Sequence, residues 1–115
     1  EILFNKLGEC NIEEKIINRI KLLFNSNHFK IGDFIGPINR GVPQGSLLSP
    51  ILFDLYINDL ITELQKEVGE RNVFCYADDL MFIALGKLSL KKGIADIIKW
   101  GNNNQIFLIF YRIII

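Results

Sequence analysis

Val73-Phe74-Cys75-Tyr76-Ala77-Asp78-Asp79-Leu80-Met81-Phe82-Ile83-Ala84-Leu85 sets two short apolar runs on either side of Tyr-Ala-Asp-Asp. Apolar runs of this length around a turn read as the strands of a β-hairpin, and the turn then carries Asp78 and Asp79 at its tip. Two adjacent carboxylates repel one another. A hard dication such as Mg²⁺ relieves that repulsion and takes oxygen ligands from carboxylates and phosphates alike. A plain hairpin turn stays open as the alternative, because aspartate is a common turn residue that bonds nearby backbone amides.

Upstream lies Arg40-Gly41-Val42-Pro43-Gln44-Gly45-Ser46-Leu47-Leu48-Ser49-Pro50, followed directly by the helix-like Ile51-Leu52-Phe53-Asp54-Leu55-Tyr56-Ile57-Asn58-Asp59-Leu60. Its glycines permit close backbone approach, Pro43 stiffens the turn, and Gln44 offers both a donor and an acceptor. Taken alone, this stretch could equally be a helix-entry loop with no ligand. Taken together, the two blocks resemble the reverse transcriptases, most closely those of non-LTR retrotransposons and group II introns. In that family an Arg-Gly-x-Pro-Gln-Gly-Ser-x-x-Ser-Pro loop precedes a helix, and a Tyr-x-Asp-Asp hairpin follows some tens of residues later. The resemblance spans residues 1–104.

Working outward from these blocks, residues 1–7 read as a helix that Gly8 stops. Asn11 and Glu14 form an Asn version of the capping box. Ile12, Ile16, Ile17, Ile20, Leu23 and Phe24 then recur at helical spacing on one buried face. Residues 29–40 suggest a short, irregular hairpin around Gly32-Asp33 and Gly36-Pro37. Ser49 as N-cap and Pro50 at the first helical position open a helix over 50–66. Its stripe is Ile51, Leu52, Leu55, Tyr56, Leu60, Ile61 and Leu64, with Asp54, Asn58, Asp59 and Glu63 largely elsewhere. Ser89 is expected to cap a last helix over 89–100, with Leu90, Ile94, Ile97 and Ile98 inward. Trp100 packs under the sheet, and Gly101-Asn102-Asn103-Asn104 stops the helix. Residues 105–115 form an apolar tail that departs from the family pattern and, exposed, would invite aggregation.

A length of 115 residues bounds the chain to one domain with a modest core. Half of it is hydrophobic, which suggests that some apolar surface expects a neighbour. With 13 basic and 13 acidic side chains, net charge gives no argument for a polyanionic partner. Cys10 and Cys75 suggest neither a disulfide framework nor a zinc site, and His28 has no companion at ligand spacing. The apolar runs fall short of the roughly 20 residues that span a bilayer. With no secretory signal visible, the expected location is intracellular, in the nucleus or cytoplasm.

The resemblance implies an α+β fold of polymerase palm type, an antiparallel sheet backed by helices 50–66 and 89–100. It implies RNA-directed DNA synthesis by two-metal-ion nucleotidyl transfer, with Asp78 and Asp79 as the catalytic metal ligands for Mg²⁺, or Mn²⁺ in its place. Arg40, Gly41, Pro43, Gln44 and Gly45, with Tyr76 and Ala77, would border the nucleotide and template. The partners would be an RNA template, a DNA primer and deoxynucleoside triphosphates. The family's further strand aspartate would lie just upstream of Glu1, and most of the fingers, the primer grip and the thumb are also expected to be lacking. The chain by itself is therefore expected to be an inactive palm fragment. A second reading makes it a non-catalytic retroelement remnant or an RNA-binding or interaction module.

Overall fold

A computed structural model describes residues 1–37, 41–43 and 45–106. Arg40, Gln44 and residues 107–115 of the apolar tail lie outside the described residues. The elements run α1 (Ile2–Glu9), α2 (Glu14–Asn25), β1 (His28–Ile31), β2 (Phe34–Pro37), α3 (Ser49–Val68), β3 (Val73–Tyr76), β4 (Asp79–Phe82) and α4 (Lys87–Asn103). The strands form two separate antiparallel hairpins, β1–β2 and β3–β4. Helices mixed with small antiparallel sheets make this an α+β chain. It divides into two compact units, Glu1–Tyr56 and the remainder from Ile57, with the boundary inside α3.

In the first unit, Leu7 of α1, Ile17 and Ile20 of α2 and Leu52 of α3 form the core, with Leu3, Phe4, Ile12, Phe24, Val42 and Leu55 packed around them. Phe4 and Phe24 meet edge to face at 5.9 Å. Lys6 of α1 donates to the Tyr56 carbonyl at 2.7 Å while lying 4.5 Å over the Tyr56 ring, tying α1 to α3. The buried stripe of α2 is narrower than its sequence suggests: Ile16 and Leu23 are exposed. They neighbour Ile17 and Phe24, about 100° off the face that meets α1.

The junction between α1 and α2 differs from the expected capping box. α1 continues through Gly8 to Glu9, and Asn11 adopts φ +57. The Asn11 amide bonds the Gly8 carbonyl and the Ile12 amide bonds the Leu7 carbonyl. That pair of bonds is a Schellman motif, in which asparagine is the commonest substitute for glycine at the left-handed position. Asn11 therefore closes α1 instead of opening α2, whose N-cap is Glu13 with no side-chain cap bond. Hairpin β1–β2 is regular, with Ile31 paired to Phe34 around a Gly32-Asp33 turn and φ +60 at Gly32. Gly36 is buried opposite Phe29, whose ring lies where a side chain would stand: an added Cβ would meet it at 2.9 Å.

The core of the second unit holds Ile57, Leu60, Leu64 and Val68 of α3 with Ile97 and Trp100 of α4. Of the remaining α3 stripe, Ile51 is exposed. Asp59 is more than a surface carboxylate, since its Oδ1 accepts the Trp100 indole N–H at 2.8 Å. Trp100 thus joins α4 to α3. A Lys92–Glu67 ion pair at 3.6 Å supports the same joint. α3 ends at Val68, whose carbonyl accepts from the Asn72 side chain at 2.6 Å after a left-handed Gly69.

α4 also exceeds its expected bounds at both ends. Gly86 is the N-cap, with no side-chain cap bond, and Ser89 lies inside the first turn. Gly101 is buried within the helix, which runs on to Asn103. A second Schellman motif closes it, with Gln105 at φ +56 and the Ile106 amide bonding the Gly101 carbonyl at 2.9 Å. Ile98, expected inward, is half exposed, and the inner side is Gly93, Ile97 and Trp100. No helix of the described residues is long and apolar enough to cross a membrane.

Candidate functional site

The β3–β4 register pairs Val73 with Phe82, Phe74 with Met81, Cys75 with Leu80 and Tyr76 with Asp79. Alternation along paired strands then sorts the side chains into two faces. Val73, Cys75, Leu80 and Phe82 share one face, and Phe74, Tyr76, Asp79 and Met81 share the other. The Phe82 ring meets α4 at Gly93, which fixes the first face as the inner one. On the outer face Tyr76 is 84% exposed, so it is not a core residue, and Asp79 stands directly across the ladder from it.

Ala77 and Asp78 form the two-residue turn. Ala77 has φ +51, a positive angle at the first central position, as at Gly32 in the other hairpin. Such a turn favours glycine, because an L side chain in this region crowds the following carbonyl at a cost of about 1–2 kcal/mol. The Cys75 Sγ–H donates to the Ala77 carbonyl at 3.5 Å across the bend. Asp78 and Asp79 are both exposed, one in the turn and one at the first position of β4. The two carboxylates therefore present hard oxygen ligands to solvent from one hairpin tip. Among the described residues no third acidic, histidine or cysteine side chain joins them in a metal-holding cluster. The pair fits part of a divalent-cation site, not a closed shell.

The loop before α3 belongs to the first unit and is described by itself. Gly41 and Gly45 both have positive φ, +78 and +81. The Ser46 amide bonds the Pro43 carbonyl at 3.5 Å, and the positive φ of Gly45 just before it is one that glycine adopts freely. Ser49 departs from its expected role. It is already the first helical residue, and its hydroxyl donates back to the Pro43 carbonyl at 2.5 Å. Ser46 Oγ accepts from the Leu48 amide at 3.2 Å. Ser49 thus ties the loop to α3 while Ser46 folds the loop on itself, two roles that the Ser-x-x-Ser spacing alone does not reveal. Leu47 is 94% exposed at its crest.

The family model for reverse transcriptase (RNA-dependent DNA polymerase) matches residues 1–108. The chain belongs to the reverse transcriptase family. A Retrovirus-related Pol polyprotein from the type-2 retrotransposable element R2DM of Drosophila melanogaster is 40% identical over 58 residues, 45% of this chain. The chain spans 6% of that relative's length. The family model carries the assignment to the reverse transcriptases, and the relative is a retrotransposon polyprotein to which part of the chain is similar. No solved structure matches. The Tyr-x-Asp-Asp hairpin of this reverse transcriptase segment is thus a formed element, whose tip exposes both aspartates.

Proposed function

We propose that the chain is the palm segment of a retroelement polymerase that copies RNA into DNA. The observation that carries this reading is the hairpin tip, where Asp78 and Asp79 stand exposed behind a strained Ala77 in a chain of the reverse transcriptase family. Asp78 and Asp79 are the metal ligands, with Mg²⁺ the working ion and Mn²⁺ its substitute. When bound, the ion would stabilise the charge that develops on phosphate oxygens as a primer hydroxyl attacks. Tyr76 and Ala77, together with Arg40, Gly41, Pro43, Gln44 and Gly45, border the nucleotide and template. The partners are an RNA template, a DNA primer and deoxynucleoside triphosphates. The site of action is intracellular, in nucleus or cytoplasm. The polymerase segment is residues 1–104, with 105–115 a divergent tail.

Strain at a residue of a functional turn is a recurrent feature of active sites, because the surrounding structure must hold an unfavourable backbone in place. The test is a chimera in which this chain replaces the corresponding segment of the fruit-fly relative. Metal-dependent primer extension on an RNA template is expected, and Asp78→Ala should reduce it to background. Extension that survives Asp78→Ala at full rate would remove the site assignment.

A further inference from the structure

Gly93 sits in the middle of α4, six residues after its first helical position, where glycine costs about 1 kcal/mol relative to alanine. A glycine kept at such a place calls for a packing reason. The reason is visible at Phe82. A Cβ built on Gly93 would lie 2.6 Å from Cε2 and 2.8 Å from Cζ of the Phe82 ring, closer than side-chain carbons approach. The ring therefore rests directly on the helix backbone, in a notch that exists because residue 93 has no side chain. Gly93 is fully within the buried set, as is Ile97 one turn later.

Two features turn this contact into a seat for the hairpin tip. α4 is itself held to α3 by the Trp100–Asp59 hydrogen bond and the Lys92–Glu67 pair, so the notch belongs to an anchored helix. Phe82 lies three residues along β4 from Asp79, about 10 Å at the rise of a strand. The adjoining Ile83 amide continues the ladder by bonding the Asn72 carbonyl at 2.8 Å, which holds both strands together at the base. Phe82 is thus a point at which β4 bears directly on the α4 backbone, on the inner face it shares with the half-buried Val73 and Leu80.

Building on the reading of Asp78 and Asp79 as metal ligands, we propose that Gly93 and Phe82 are positioning residues: the ring seated in the glycine notch sets where the hairpin tip holds its two carboxylates. Neither residue touches the metal or substrate. A Cβ at position 93 lifts the ring by about 1 Å to reach ordinary contact distance, a displacement of the size that can cost on the order of 100-fold in an aligned site.

The test is NMR on the full 115-residue chain, comparing wild type, Gly93→Ala and Gly93→Ala combined with Phe82→Leu, well below the thermal midpoint of each. In Gly93→Ala the amides of Ala77, Asp78 and Asp79 should shift. The Mn²⁺ concentration that broadens the Asp78 and Asp79 amides should rise by roughly tenfold, the range seen when a supporting residue of a metal site is lost. The smaller leucine should return both readouts towards wild type, a rescue that general destabilisation does not produce. If Gly93→Ala does not fold, Phe82→Leu alone empties the notch and should still move the Ala77–Asp79 amides. Unmoved tip amides in a folded Gly93→Ala, or a shift that Phe82→Leu leaves in place, would overturn the proposal. Shifts and rescue without Mn²⁺ broadening in wild type would uphold the seat and discard the metal reading of the two aspartates.

Discussion

Ala77 and Gly32 occupy the same place in two hairpins of one chain, the first central residue of a two-residue turn, at φ +51 and +60. Glycine accepts that angle freely and alanine does not, so exchanging the two should act in opposite directions. Ala77→Gly is expected to raise unfolding stability by up to about 1 kcal/mol, and Gly32→Ala to lower it by a similar amount, in urea denaturation. Asn11 offers a second test, since the two roles considered for it make different demands. As an N-cap it would tolerate serine, which is also a good cap. As the left-handed residue that closes α1 it should lose about 1 kcal/mol in Asn11→Ser and nothing in Asn11→Gly. The residue type at 11 was legible, but asparagine serves both ends of a helix. Only the two bonds to the preceding turn decide which end it serves.

Helix α4 shows how an element is fixed by its neighbours more than by its own signals. Its local sequence argued for a start at Ser89 and a stop at Gly101, yet it runs from Lys87 to Asn103. Burial of Gly101 and of Trp100, with its bond to Asp59, outweighs the low helix propensity of the Gly-Asn-Asn run. Trp100→Phe keeps most of the apolar ring and removes the indole donor, leaving Asp59 without it. The expected cost is about 1.5–3 kcal/mol in thermal or chemical unfolding, the range for a hydrogen bond to a charged group. Leu64 is fully buried on the facing side of α3, and Leu64→Ala should cost about 2–5 kcal/mol through lost burial and the cavity left behind. The existence and type of α1 to α4 and of both hairpins were readable from periodicity and turn residues. The ends of the helices were not, because fraying and capping depend on bonds that reach across the turn or onto another element.

At the scale of the whole chain, large apolar side chains stand exposed on both units: Leu22, Ile31, Phe34 and Ile35 on the first, Phe74, Met81, Leu85 and Leu88 on the second. Formal net charge is zero at neutral pH, so little repulsion opposes their association. The isolated chain should therefore self-associate most strongly near pH 7, and light scattering should fall as the pH moves to either side and net charge grows. Equal scattering across that range would show that the apolar patches are not what drives association. The sequence by itself determined the family, the pair of motifs and the carboxylates at a turn, because each of these rests on residue identity at fixed local spacing. The tertiary structure decided that Asn11 ends a helix, that Ser49 clamps the loop to Pro43, that Asp59 holds Trp100, and that Phe82 rests in the notch at Gly93. Those depend on which atoms meet in space, whether in the turn before Asn11 or between Asp59 and Trp100, and residue type at a given spacing carries no record of such meetings.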